Sequence, residues 1–236
     1  MITPTTLGYA FIGGLLPSLI WLYFILKEDR THPEPRSLIA LTFIAGMLAV
    51  PLAIPLEQYA KAHLANSFTV FTSWALIEEV LKYMMAAVFI LWRKAVDEPP
   101  DYVIYMVTVA LGFAAAENML FLVDPTCSAG ASVVTEWTRS AAFLCTDGVR
   151  FLGANLLHVV ASASIGFALA FSTKFRPAGR VLAASLGLIL AVALHTAFNL
   201  LIIDVSALTA LFLVWVVTVI LLATFEVLKY FQYRST

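Results

Sequence analysis

Six ionisable side chains stand where membrane-spanning helices should run: Glu78, Glu79 and Lys82, then Glu117, His158 and His195. Carboxylates and imidazoles are the groups that move protons and hold metal ions. Placing a charge at the bilayer centre costs about 3 kcal/mol on insertion scales, so such residues normally face a bundle interior and work there. Two imidazoles and a carboxylate form a common ligand set for a catalytic zinc with an open fourth position. A further carboxylate then acts as general base on the bound water. On that scheme His158 and His195 are candidate metal ligands, Glu117 is the third ligand or a carboxylate partner behind one of the histidines, and Glu78 or Glu79 is the base. In a metal-free scheme a buried glutamate activates water, while histidine and asparagine stabilise the oxyanion. The residue types leave both open. Asn199 follows His195 at i+4, on the same helix face, and completes the candidate set.

Each residue also has a purely structural reading. Glu78 and Lys82 are spaced i, i+4 and can neutralise each other. Glu79 points about 100° away from Glu78. A lone histidine, or the Glu117-Asn118 pair, can simply bond a neighbouring helix. Depth argues against six separate excuses. At about 1.5 Å per residue, Glu117, His158 and His195 lie roughly 10–13 Å from the outer ends of their spans, and Glu78 and Glu79 roughly 18 Å. Four helices thus deliver polar groups to one layer in the outer half of the membrane. Small residues around them (Ala114, Ala115 and Ala116; Ala161, Ser162, Ala163, Ser164 and Gly166) let helices approach closely.

The elements that carry these residues follow from composition. Of 236 residues, 61% are hydrophobic and 12% charged, against about 25% charged in a typical soluble domain. Such a chain cannot cover a water-facing surface. A soluble enzyme, a disordered protein and a disulfide-rich secreted module are excluded. A bilayer core about 30 Å thick needs about 20 apolar residues per helix. Seven segments reach that length: Leu7–Leu26, Ser37–Leu56, Ser67–Trp92, Val103–Val123, Phe151–Phe171, Val181–Ile203 and Val205–Phe225. The fold class expected is all-α: a polytopic transmembrane bundle of about seven spans, residues 1–236 forming one integral membrane domain with its catalytic core at about 66–204. Pro51 and Pro55 should kink or end the second helix. The sixth and seventh should form a tight antiparallel pair around Asp204. The first lacks a basic leader and a small-residue cleavage site, and is expected to be retained.

Loop charges set the orientation. Lys27, Arg30, Arg36, Arg93, Lys94, Lys174, Arg176, Arg180, Lys229 and Arg234 fall on one side; Lys61, Arg139 and Arg150 fall on the other. The N-terminus is expected outside and the C-terminus in the cytoplasm. Cys127 and Cys145 both fall in the long outer loop Asp124–Arg150, where a disulfide and two unpaired thiols are equally open.

No H-E-x-x-H or G-x-S-x-G occurs, and no Asp lies inside a span. The motifs present resemble those of the PrsW family of intramembrane proteases: Glu78-Glu79-Val80-Leu81-Lys82 (E-E-x-x-K), Phe113 to Glu117-Asn118 (F-x-x-x-E-N), His158 with Gly166 downstream, and His195 to Asn199 (H-x-x-x-N). All four occur in the family's order, across positions 78 to 199. The family is distantly similar to the CAAX-prenyl protease and bacteriocin-processing superfamily. The resemblance implies an intramembrane, glutamate- and zinc-type metalloprotease of the bacterial plasma membrane. Its substrate would be a membrane-anchored protein such as an anti-sigma factor, cut near the outer face as a step in signalling. It carries Glu78, Glu79, Glu117, His158, His195 and Asn199 over as the site, with Lys82 and Asn118 supporting. The expected partners are the substrate and the lipid bilayer, with no nucleic acid. Two rivals remain at this stage: a proton- or ion-coupled transporter, since buried Glu and His build proton relays, and a non-catalytic membrane adaptor.

Overall fold

The structure, a computed structural model, describes residues 4–28, 32–123 and 148–235. Among them are seven helices and no strand: α1 (Pro4–Glu28), α2 (Arg36–His63), α3 (Ser67–Phe89), α4 (Pro99–Val123), α5 (Gly148–Phe171), α6 (Pro177–Asp204) and α7 (Ala207–Ser235). Six are long and apolar enough to cross a membrane; α3 is the exception. Its 23 residues suffice for length, but Glu78, Glu79 and Lys82 break its apolar run. All three are buried inside the bundle. The chain is a multi-pass helical membrane bundle, as the apolar runs predict.

Several boundaries differ from the sequence expectation; α7, for one, runs to Ser235, ten residues past Phe225. Helix α2 does not end at its prolines; it runs through Pro51 and Pro55 to His63. Each proline removes one backbone donor, but the two are one turn apart on an exposed face. The backbone bonds on the other faces carry the helix on. Helix α4 starts at Pro99, four residues early, because Asp101 caps it by accepting from the backbone N–H of Asp97 and Glu98 at 3.0 and 2.7 Å. Helix α5 starts at Gly148, inside the segment expected to be loop. Cys127 and Cys145 lie outside the described residues.

Helix α4 is the centre of the bundle. It is buried continuously from Pro100 to Ala115, as a helix that is apolar all round must be. It packs against α1, α2 and α5. Glycine sets the closest approach. A Cβ on Gly46 would stand 2.0 Å from the Val109 carbonyl oxygen, and one on Gly112 would stand 2.0 Å from that of Phe43. The α2–α4 crossing therefore requires a bare backbone on both sides. Gly166 does the same for α5, where a Cβ would come within 2.7 Å of the Val103 Cα.

Helix α3 packs chiefly against α2 and α6. Asn66 caps its start, accepting from the Thr69 N–H at 2.8 Å. A two-residue connection joins α6 to α7, with the Ser206 hydroxyl accepting from the Thr209 N–H at 3.1 Å. The expected tight pair is present. The consequence for function is that α3, α4, α5 and α6 each turn one face toward a common polar centre.

Candidate active site

Helix α3 contributes three charged groups. The Lys82 ammonium lies 2.7 Å from Glu79 Oε1 and 3.3 Å from Glu78 Oε2. Both carboxylates are reachable because i+3 and i+4 neighbours share a helix face. Helix α5 adds His158, whose Nδ1 lies 2.7 Å from the same ammonium. Its Nε2 meets Glu117 Oε2 of α4, also at 2.7 Å. Helix α6 adds His195, whose Nδ1 lies 3.0 Å from Glu79 Oε1. The two imidazoles stand edge to face, 5.3 Å between ring centres.

Hydrogen-bond roles follow from this geometry. An ammonium has three donors and no acceptor. Lys82 directs them at Glu79, Glu78 and His158. His158 Nδ1 must therefore accept, and its Nε2–H donates to Glu117. Ionised Glu79 can only accept, so His195 Nδ1–H donates to it. His195 Nε2 then lies 3.8 Å from Glu78 Oε2. His158 Nδ1 also lies 3.8 Å from that oxygen. These gaps are too long for direct bonds.

The two adjacent acids therefore differ. Glu79 is 0% exposed and both its oxygens are used: Oε1 by Lys82 and His195, Oε2 by the Ser162 hydroxyl at 3.0 Å. Glu78 Oε2 has only the longer bond to Lys82. The ring of Phe113 closes one side, 4.2 Å from the Lys82 Nζ and 5.5 Å from the His158 ring.

Of the residues read from the sequence, Glu78, Glu79, Lys82, Glu117, His158 and His195 meet in this cluster. Two do not join it. Asn199 is half-buried one turn beyond His195, and no hydrogen bond ties it to the cluster. Asn118 is buried, and its Nδ2 has no hydrogen-bond partner among the described residues. The group whose ligand atoms lie within 4.8 Å of one another is Glu78, Glu79, His158 and His195. Glu117 stands behind it on His158, with its side chain 25% exposed. Two further residues carry weight that the sequence reading did not give them. Ser162 was visible only as one of several small residues, although its i+4 spacing from His158 puts it on the same face. Glu57 of α2, just past the expected span end, comes within electrostatic reach of Glu117 and Lys82.

Comparison with known proteins decides the family. The profile described as PrsW family intramembrane metalloprotease matches residues 34–224. The chain belongs to this family. Its relatives include proteins named Protease PrsW from Geobacillus kaustophilus (strain HTA426), 32% identical over 114 residues, and from Oceanobacillus iheyensis, 34% identical over 115 residues. Another is from Bacillus subtilis (strain 168), 29% identical over 115 residues. These alignments cover 47% of this chain and 50%, 53% and 52% of the relatives. The PrsW-family chain thus spans about half the length of the curated relatives it matches. No solved structure gives a significant match.

Proposed function

We propose that this PrsW-family chain is an intramembrane endopeptidase that hydrolyses a peptide bond of a membrane-anchored protein. The observation that carries the reading is the convergence of two carboxylates and two imidazoles, from three separate helices, inside a membrane bundle. Burying such groups is costly in lipid, and structural glue does not need two acids side by side. Membership of the family and the name its relatives bear support the same reading.

Peptide hydrolysis needs an activated water, a stabilised oxyanion and a proton for the leaving amine. Glu78 suits the first task, because its Oε2 is less engaged than either oxygen of Glu79 and lies 3.8 Å from His195 Nε2. A water between Glu78 Oε2 and His195 Nε2 would give one proton toward each acceptor. His195, held by Glu79, then keeps Nε2 aimed at that water. The proton taken by Glu78 or His195 passes to the leaving nitrogen. Asn199, one turn toward the outer surface, is placed to bind the substrate backbone.

The donor set also fits a divalent metal. Two imidazoles and two carboxylates are zinc-type ligands, and Glu78, Glu79, His158 and His195 would hold the ion. Bound zinc would supply Lewis acidity and lower the pKa of a ligated water to about 7. Glu117 on His158 Nε2 matches the carboxylate that typically orients a metal-binding imidazole. We place the reaction in the outer half of a bacterial plasma membrane, from the loop-charge asymmetry and the depths of the site residues. A membrane-anchored signalling protein such as an anti-sigma factor is the substrate class.

The test is cleavage in proteoliposomes containing the purified chain and a labelled single-span protein, with fragments identified by mass spectrometry. Cleavage by the wild type and none by the Glu78→Gln, Glu79→Gln double variant is expected. Undiminished cleavage by that variant would overturn the proposal.

A further inference from the structure

We infer that Lys82 is a built-in competitor for the metal: its ammonium occupies the ligand cluster, and a divalent ion binds there only when the ammonium leaves. The inference rests on reading the four-residue cluster as a metal site, and is independent of whether the chain cleaves peptides.

Three observations carry it. First, the ammonium contacts three of the four donors, at 2.7 Å from Glu79 Oε1, 2.7 Å from His158 Nδ1 and 3.3 Å from Glu78 Oε2. Second, the His158 contact is exclusive. A neutral imidazole has one acceptor nitrogen, and a metal uses that same lone pair. With Nε2–H committed to Glu117, the Nδ1 lone pair serves either the Lys82 N–H or an ion. Third, the two cations would repel each other at close range. An ion about 2.1 Å from Glu79 Oε1 would be at most about 4.8 Å from Nζ, and burial leaves that repulsion poorly screened. Lys82 is 0% exposed, and the Phe113 ring stands 4.2 Å from its ammonium.

The cluster thus has two mutually exclusive fillings. With the ammonium in place, Lys82 holds the donors together and offsets the acids without a metal. With a metal in place, the ion takes over both roles and Lys82 is displaced. A lysine that merely organised the ligands would have the opposite effect on affinity, and this makes the two roles separable.

The experiment measures zinc affinity of the detergent-solubilised chain at one fixed pH, by competition with a chromophoric chelator and without substrate. Wild type, Lys82→Met and Lys82→Gln are compared, with His195→Ala as the ligand-loss control. Competition predicts at least tenfold tighter zinc binding by Lys82→Met and Lys82→Gln. It also predicts a larger zinc-induced rise in melting temperature than in the wild type, which can be read on variants prepared with zinc present. Unchanged or weaker affinity in both variants overturns the inference, as does absence of zinc binding in every protein. If only one variant folds, that one decides. If neither is recovered with or without zinc, the ammonium is indispensable and the inference fails. Peptide cleavage by a chain whose affinity ignores Lys82 would refute the competition and leave the protease reading standing.

Discussion

Glu78 and Glu79 are adjacent in sequence, yet neutralising them should damage the molecule in different ways. Glu79 is wholly buried and bonded to Lys82, His195 and Ser162. In Glu79→Gln the amide oxygen can keep part of this set, but the shortest partner of the Lys82 charge is gone. Breaking a buried ion pair on one side costs about 3–5 kcal/mol. Glu78 remains 3.3 Å from the ammonium, so about 2–3 kcal/mol is the expected loss. For a chain of this size that corresponds to roughly 4–12 °C in Tm. In Glu78→Gln the lost contacts are longer, one at 3.3 Å and two at 3.8 Å. A smaller loss than in Glu79→Gln is expected there, because Lys82 keeps its 2.7 Å contact with Glu79.

Activity should follow a different order. If Glu78 activates the water, Glu78→Gln loses about 10²–10⁴ in rate while its melting curve stays near that of the wild type. Glu79→Gln loses both stability and activity. The assay pairs thermal melts of the detergent-solubilised proteins with cleavage of the labelled membrane substrate. Equal destabilisation by the two variants, or a stable and active Glu78→Gln, would refute the assignment of roles.

Ser162→Ala removes one donor from Glu79 Oε2; hydrogen bonds to charged groups are worth about 1.5–3 kcal/mol. About a tenfold fall in cleavage rate is expected from a folded protein, and an unaltered rate would show that Ser162 does not hold Glu79. Gly112→Ala places a Cβ 2.0 Å from the Phe43 carbonyl oxygen. Overpacking of this kind costs about 1–3 kcal/mol, so its Tm should fall. Gly8→Ala meets nothing within 4 Å and should leave the melt unchanged.

The fold was legible wherever apolar length alone decided it. The spans from Leu7 to Phe225 all correspond to helices. Even α3 was readable, because its charges sit in the middle of an apolar run and not at its end. The continuation of α2 past Pro55 was not legible. A proline is a local signal, and whether the helix continues past it depends on the packing of the whole segment in the bundle. The site was legible as a set of residues but not as a set of bonds. Spacing permits Lys82 to reach Glu78 at i+4 and Glu79 at i+3; the shorter contact to Glu79 depends on Ser162 and His195 holding that carboxylate. The place of Glu117 behind His158, and not among the four converging donors, depends on the relative height of α4 and α5. No one-dimensional pattern contains that height.

The distribution of charge explains how such a site can be assembled in lipid at all. Both acids and their counter-ion lie within five residues of one helix, so Lys82 can offset them at i+3 and i+4 before any other helix arrives. Helix α5 then contributes an imidazole that the Lys82 contact makes neutral, and α6 contributes one that donates to Glu79. The acid that α4 brings, Glu117, keeps a quarter of its side chain exposed and is paired with His158 at 2.7 Å. If this order matters, a cation moved off α3 should not rescue the loss of Lys82. Lys82→Met combined with a new lysine at Ser162 restores the formal charge on α5. It leaves α3 to insert with two unpaired acids and takes the hydroxyl from Glu79. Both Lys82→Met and the double variant should accumulate less in membranes than the wild type, measured by quantitative immunoblot of membrane fractions. Restoration of wild-type accumulation by the lysine on α5 would show that charge balance within α3 is not what permits its insertion.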